Sequence, residues 1–364
     1  MKYRTNRKTG DRISEIGMGS AWITETERNE AIQTIRAAYE GGVNYFDLAA
    51  GDGAAFALFH EALGDVRDKV FYQIHFGADY TGGTYGWKLD LKTVKKSVAW
   101  MMEQLHTDYI DYGFIHCQDE FSDWETFREN GIYDFLMRLK ERGIVRHTGC
   151  SSHTPKVLMK ILDETDLDMV MFSVNPAYER GSGEYARGDV EERSRLYRRC
   201  EAEGIGISVM KPFSGGQLLR ADLSPFHKSL SPYQCIRYAL DRPGVLTVLP
   251  GMKSVREAEE LLAYYAQSPE QLDYSEVDTF TSADTFGRCI YCNHCRPCPV
   301  GIDIGAVNKF YDLACLGDPL AKEHYYALEK TAADCIGCEH CDDRCPFDVI
   351  QSERMSVIRE FMGR

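Results

Sequence analysis

"VFYQIHFGADY", residues 70–80, alternates as a strand covered by helices on both faces would, and it delivers His75 at the point where the strand should stop. The same unit, a short apolar strand followed by an amphipathic helix, recurs from about residue 13 to 265. The other strand candidates are "RISEIGMGS", "VNYFDLA", "YIDYGFIH", "VRHTGCSS", "MVMFSVN", "GIGISVMK" and "GVLTVLP". Between them lie helical patterns such as "ERNEAIQTIRAAYEGG", "LKTVKKSVAWMMEQL", "IYDFLMRLKERG", "EERSRLYRRCEAEG" and "SVREAEELLAYYA", several of which end in Gly, the usual helix stop. Eight strand signals alternating with helices predict an α/β fold, a (β/α)8 TIM barrel. The runner-up is a doubly wound open sheet, but no GxGxxG follows the first strand. The start, "YRTNRKTGDRIS", reads as a hairpin turning at Lys8-Thr9-Gly10 and placed to close the bottom of a barrel.

The expected organisation is a barrel over residues 1–268, a connecting segment over 269–288 and a small cysteine-rich domain over 289–364. The formal charge of −14 repels nucleic acid phosphates and anionic lipid heads, so neither is an expected partner. The N-terminal residues are polar and basic, and nowhere do about 18 apolar residues stand together. A soluble, cytoplasmic protein is the expectation. Thirteen cysteines in a chain of 364 residues are not the small secreted scaffold that disulfides staple, and metal-bound thiolates in a reducing compartment fit better.

Eight of those cysteines fall in two runs. "CIYCNHCRPCP" carries Cys289, Cys292, Cys295 and Cys298, and "CIGCEHCDDRCP" carries Cys335, Cys338, Cys341 and Cys345. Three thiolates at two-residue spacers can wrap three corners of one cubane, while a more distant Cys-Pro supplies a corner of the other. The crossed assignment gives Cys289, Cys292, Cys295 and Cys345 to one [4Fe–4S] cluster, and Cys335, Cys338, Cys341 and Cys298 to the second. Two zinc sites are the alternative, although zinc ribbons usually split their ligands into two pairs across a loop. The runs resemble the bacterial two-cluster ferredoxin domain, with two residues rather than three before the first Cys-Pro.

Barrel enzymes place their chemistry where strands end. Strand two ends in Asp47, strand three in His75, strand four in His116 and strand five in Ser151-Ser152-His153. Taken singly, a strand-end Asp often caps the next helix and a lone His is more often a hydrogen-bonded core residue than a catalyst. Their coincidence on neighbouring strands favours a site.

"GVNYFD" at 42–47, "DYIDYGFIH" at 108–116, "GIVRHTGCSSH" at 143–153 and "LPGMKSVREAEE" at 249–260 make the barrel similar to the aldo/keto reductase superfamily. With the tail added, the chain resembles the subgroup carrying a C-terminal two-[4Fe–4S] ferredoxin-type domain. The resemblance implies an oxidoreductase in which an Asp, a Tyr five positions later, a Lys ending strand three and a His ending strand four protonate a carbonyl oxygen as hydride arrives from a nicotinamide. Asp47 and His116 match that pattern. Asp52 stands at the Tyr position and His75 at the Lys position.

Losing Tyr and Lys removes a positioned general acid, an effect of about 10²–10⁴-fold in rate. Three replacements are open. His75 or His116 is itself the acid; or Asp47, Asp52, His75 and His116 hold an additional divalent metal; or Tyr80 or Tyr85, in "GADYTGGTYGW", folds back as donor.

The resemblance also implies a nicotinamide seat at Ser151 and Ser152, a pyrophosphate loop in "MKPFSGGQLL" with Lys211, Gly215 and Gly216, and an adenosine-phosphate seat in "PGMKSVREAEE" with Gly251, Lys253, Ser254 and Arg256. NADP(H) or NAD(H) is the expected cofactor, with a flavin in the same space as an alternative. Met171 stands where the family often keeps a Gln, and Met210 where it often stacks an aromatic ring. The substrate class is a small organic carbonyl or unsaturated molecule, and Trp22, Tyr80, Tyr85, Trp87 and Trp124 would suit an apolar or ring-bearing one. Two clusters suggest an electron relay and a redox partner protein. The alternatives are a metal-dependent barrel enzyme and a non-catalytic electron-transfer or scaffold protein.

Overall fold

The computed structural model describes residues 1–181, 186–279, 287, 289, 291, 295–345 and 349–363. Cys292 falls outside the described residues. The strands in chain order are β1 (Tyr3–Thr5), β2 (Arg12–Ser14), β3 (Met18–Gly19), β4 (Tyr45–Asp47), β5 (Phe71–Phe76), β6 (Ala78–Asp79), β7 (Gly86–Trp87), β8 (Ile110–Ile115), β9 (Val145–Ser152), β10 (Met169–Ser173), β11 (Gly206–Met210) and β12 (Val245–Val248). Eight of them pair in parallel in the order β3-β4-β5-β8-β9-β10-β11-β12. Parallel bridges from Ile16 to Val248 and from Gly19 to Gly251 close the ring. The (β/α)8 barrel expected from the pattern is therefore present.

"RISEIGMGS" splits in two. Arg12–Ser14 pairs antiparallel with Tyr3–Thr5 as the second arm of the hairpin, and Met18–Gly19 is the first barrel strand. Gly10, at φ +81°, supplies the left-handed residue of the hairpin turn. The hairpin plugs the barrel bottom: Tyr112 donates to Asp11 Oδ2 at 2.6 Å, and Ile13 joins Tyr45, Tyr112, Phe114 and Met169 in the barrel core. Every residue of β8 and β10 is buried, as strands covered on both faces must be. The helix Leu91–Gln104 shows how the covering layer forms: Asp90 accepts from the Thr93 N–H at 2.8 Å, and Val94, Ser97, Val98 and Met101 face inward at helical spacing.

By contacts the chain divides into two compact units. The first comprises 1–174, 190–212 and 236–272, and the second comprises 175–189, 213–235 and 273–364. The second unit thus takes in two segments that follow β10 and β11, besides the cysteine-rich tail. Its described tail elements are helical, with Ile304–Cys315, Ala321–Tyr326 and Gln351–Met362 packed about Ile302, Val307, Phe310, Tyr325, Met355 and Ile358.

Candidate active site

Asp47 is the last residue of β4, His75 the fifth residue of β5, and His116 the residue after β8. All three are buried. Neighbouring parallel strands bring them together: His75 Nε2 lies 2.7 Å from Asp47 Oδ1, and His75 Nδ1 lies 3.0 Å from His116 Nδ1. Gln73, two residues before His75 and on the same face, donates to Asp47 Oδ1 at 2.8 Å. Its own orientation is set because its Oε1 accepts from Tyr45 at 2.7 Å and from Ser208 at 3.2 Å.

The fourth member arrives from a loop. β6 and β7 form a small antiparallel ribbon through Ala78–Trp87 and Asp79–Gly86 pairs, turning through "TGGT" with Gly83 at φ +95°. The ribbon holds Tyr85 with its hydroxyl 2.8 Å from His116 Nε2. Tyr80 behaves differently: it is fully buried and donates to the Ala50 carbonyl at 3.0 Å, so it braces the ribbon. Four side chains therefore stand in line, Asp47, His75, His116 and Tyr85, each within hydrogen-bond distance of the next.

Burial, and then the neighbouring His75, hold the His116 pKa well below the ordinary imidazole value of 6.5, so this ring is neutral. Burial, with Cys117 and Asp119 close by, raises the Tyr85 phenol far above its ordinary value of 10.0, so it carries its proton. A neutral imidazole has one donor and one acceptor nitrogen, and an ionised carboxylate only accepts. With His116 neutral and Tyr85 protonated, the line has two self-consistent proton assignments: Tyr85 O–H to His116 Nε2, His116 Nδ1–H to His75 Nδ1 and His75 Nε2–H to Asp47, or, with one more proton, the first two bonds reversed.

Asp52 stands apart from this line. Its Oδ1 accepts from the Ala54 N–H at 2.7 Å and starts the helix Ala54–Leu63. The four-ligand metal set expected from sequence therefore does not assemble as one group. Among the described residues, the His, Cys, Asp and Glu side chains that do cluster with metal-ligand proximity are Cys117, Asp119 and His153, on the segments after β8 and β9.

Most of the residues expected to hold a cofactor have partners within the chain. Ser151 Oγ accepts from the Cys117 N–H at 2.8 Å, and Ser152 Oγ donates to Asp119 at 3.2 Å while accepting from Thr154 N–H at 2.9 Å. Lys211 takes a left-handed backbone at φ +54°. Lys253 Nζ pairs with Glu25 at 2.7 Å, Ser254 caps the helix Val255–Leu262, and Arg256 pairs with Glu260 at 2.6 Å. A Cβ at Gly251 would lie 2.4 Å from Trp22 Cδ1, so that glycine admits the indole. Gly215 and Gly216 have φ of +66° and +94° and lie in the second unit, where a Cβ at Gly215 would meet Leu313 at 2.9 Å. Met171 Sδ sits 3.1 Å from Gln73 Nε2.

Two polar atoms near the strand ends are left for water or a ligand to satisfy. Ser20 Oγ, just after β3, and Gln118 Oε1, just after β8, are buried with no hydrogen-bond partner among the described residues. Such orphans cost about 1–3 kcal/mol unless a bound molecule satisfies them. Of the aromatic approach expected from sequence, Tyr80 and Trp124 are core residues, and Trp124 Nε1 donates to Glu164 at 2.8 Å. Tyr85 is half-buried and Trp87 exposed.

Sequence reading missed Gln73 and Gln118, and it did not single out Cys117 or Asp119. A signal for Gln73 is available: a polar residue in the middle of an apolar strand must find a buried partner.

The described cysteines of the tail form no disulfide with one another. Cys298, Cys335, Cys338 and Cys341 line one cavity together with Pro299, Ile302 and Met355. Those four are the thiols that spacing assigns to a single cubane.

The model of the aldo/keto reductase family matches residues 15–234, and the cysteine runs lie beyond that span. An uncharacterized oxidoreductase of Bacillus subtilis, YqkF, is 25% identical over 301 residues, covering 74% of this chain and 92% of its own. L-galactose dehydrogenase of Arabidopsis thaliana is 23% identical over 296 residues, covering 72% and 88%. Among solved structures, the holo form of an aldo-keto reductase from Bacillus halodurans has a TM-score of 0.64 at 20% identity, covering 78% of this chain and 97% of its own. An aldo/keto reductase of Klebsiella pneumoniae in complex with NADP and acetate has a TM-score of 0.57 at 18% identity, covering 78% and 96%. With the barrel closed, the family model matched across more than half its length and oxidoreductases among its relatives, the chain belongs to the aldo/keto reductase family and is an oxidoreductase.

Proposed function

We propose that the protein reduces a small organic carbonyl at the mouth of the barrel, using Tyr85 as the terminal proton donor in place of the Tyr missing at position 52. The observation that carries this reading is the unbroken contact line Asp47–His75–His116–Tyr85. With both rings neutral, the Tyr85 proton turns inward to His116, leaving the phenol oxygen as an acceptor. One further proton on His75, beside Asp47, reverses the line. His75 Nδ1–H then donates to His116, His116 Nε2–H donates to Tyr85, and the Tyr85 O–H is released toward a substrate oxygen. His75 opposite Asp47 thus does the work of the cation that the family draws from lysine. His116, between His75 and Tyr85, takes a proton on one ring nitrogen as it gives one from the other and so carries no lasting charge, while the Asp47 carboxylate balances His75.

The buried orphans Ser20 Oγ and Gln118 Oε1 support a bound nicotinamide, and the Klebsiella pneumoniae relative solved with NADP makes that cofactor the natural candidate. When bound, such a group supplies the hydride. The donor set of the tail fits two [4Fe–4S] clusters, held by Cys289, Cys292, Cys295 and Cys345 and by Cys298, Cys335, Cys338 and Cys341, whose chemistry is one-electron transfer from a redox partner protein. No helix among the described residues is long and apolar enough to cross a membrane.

The test is anaerobic purification followed by reduction assays on a panel of small aldehydes and ketones with NADH and NADPH. The parent chain should hold about eight irons, four per cubane. Tyr85→Phe should lower turnover by about 10²–10⁴-fold with little change in KM. A Tyr85→Phe chain working at the parental rate would overturn the donor assignment, and zinc in place of iron would overturn the clusters.

A further inference from the structure

Cys117, Asp119 and His153 are not links of the Asp47–His75–His116–Tyr85 contact line. Cys117 Sγ is 3.9 Å from Asp119 Oδ2, His153 Nδ1 is 2.9 Å from the same oxygen, and all three donor atoms lie within 4.8 Å of one another. Two segments are locked to make this arrangement. The Cys117 and Gln118 N–H groups donate to Ser151 Oγ and Ser151 O at 2.8 and 2.9 Å, while the His153 N–H donates to Asp119 Oδ1 at 2.7 Å. Cys117 is held at φ +49°, a left-handed backbone that non-glycine residues rarely adopt.

We infer that Cys117, Asp119 and His153 form a binding site for one zinc-class divalent cation, separate from the cysteine runs. A thiolate, an imidazole and a carboxylate are the donor types that such a borderline-soft ion takes, and three protein ligands leave its fourth position open. Bond lengths of about 2.0–2.3 Å in a tetrahedral site put neighbouring ligand atoms about 3.3–3.8 Å apart. Two of the three separations, 2.9 and 3.9 Å, bracket that range and the third lies within 4.8 Å, so shifts of about 1 Å bring the three atoms to ligating distance. On binding, the Cys117 thiol gives its proton to solvent, and the His153 ring proton, which Nδ1 donates to Asp119 in the metal-free chain, moves through solvent to Nε2 so that Nδ1 can ligate. The competing explanation is a loop staple, in which Asp119 does no more than tie His153 and Ser152 to the segment after β8.

The experiment uses the full chain with its clusters intact. The chain is dialysed anaerobically against Zn²⁺, and zinc is counted beside iron in the parent, Cys117→Ser and His153→Ala. The parent should hold one zinc per chain more than either variant at unchanged iron, and its thermal midpoint should rise with Zn²⁺ while that of Cys117→Ser does not. Equal zinc uptake and equal thermal response in parent and Cys117→Ser would overturn the site and leave the staple. Cys117→Ser differs by one atom at a half-buried position, and far-UV circular dichroism checks that it folds. Tyr85→Phe should bind zinc as the parent does, so failure of the carbonyl-reductase reading and failure of this one are separate results.

Discussion

The two ends of the barrel each bury a carboxylate, and they use it in opposite ways. At the N-terminal end Asp111, the second residue of β8, pairs with Arg67 at 2.8 Å and Arg146 at 3.0 Å and accepts from the Tyr72 N–H at 3.0 Å. Arg67 lies 4.0 Å and Arg146 3.8 Å from the Tyr109 ring centroid, which adds cation–π contacts to the pair. Guanidinium never gives up its proton at ordinary pH, so this carboxylate is a fixed staple. At the C-terminal end Asp47 faces an imidazole, His75, and a carboxamide, Gln73, in place of guanidinium groups. The same side chain is a staple beside two permanent cations, and beside an imidazole it is placed for the proton transfer proposed above.

That contrast is open to direct attack. The largest effect expected is from Asp47→Asn, which removes the anion at the end of the proton line and should lower turnover by about 10²–10⁴-fold, measured in steady state, with stability nearly kept. Asp111→Ala should do the reverse. Stripping one partner from a buried ion pair costs about 3–5 kcal/mol in denaturant unfolding, while turnover per folded molecule persists. If Asp111→Ala abolished turnover in folded protein, the division between the two ends would be wrong.

A smaller effect is visible in pH. Burial holds the Asp111 pKa above its ordinary value of 3.8, even against the opposing pull of Arg67. The folded state then keeps this proton longer than the unfolded chain, so the group's contribution is full below 3.8 and is lost as pH rises through the folded value. At the exposed Asp90 cap the sign is opposite. Its hydrogen bond from the Thr93 N–H lowers the pKa below 3.8, so its contribution is present above that value and lost as pH falls. Unfolding measured across acid pH should therefore lose one slope in Asp111→Asn and the other in Asp90→Ala. The smallest change is Asp90→Ala itself at neutral pH, about 1 kcal/mol for a helix N-cap.

The barrel and the positions of Asp47, His75 and His116 could be read from the chain because strand periodicity and strand ends are local properties. Asp52 shows the limit. Its spacing from Asp47 suggested a place in the site, yet a carboxylate two residues before a helix satisfies the helix first. Lys253 and Arg256, read from sequence as phosphate ligands, are paired with Glu25 and Glu260, pairs that a bound anion would have to displace. Charge pattern identifies a residue's chemistry, not which neighbour consumes it.

By itself the sequence determined the eight-stranded repeat, the polar residues that end its strands and the two cysteine runs, since each depends on spacing along a short piece of chain. Only the tertiary structure decided that Tyr85, 31 residues from His116, is the group that meets it. The same holds for Asp119 and His153, 34 residues apart and brought to one point by the parallel pairing of β8 and β9. Periodicity reports which face of an element is buried. It carries no information about which side chains from separate strand ends converge, because that depends on barrel closure and on the path of each loop.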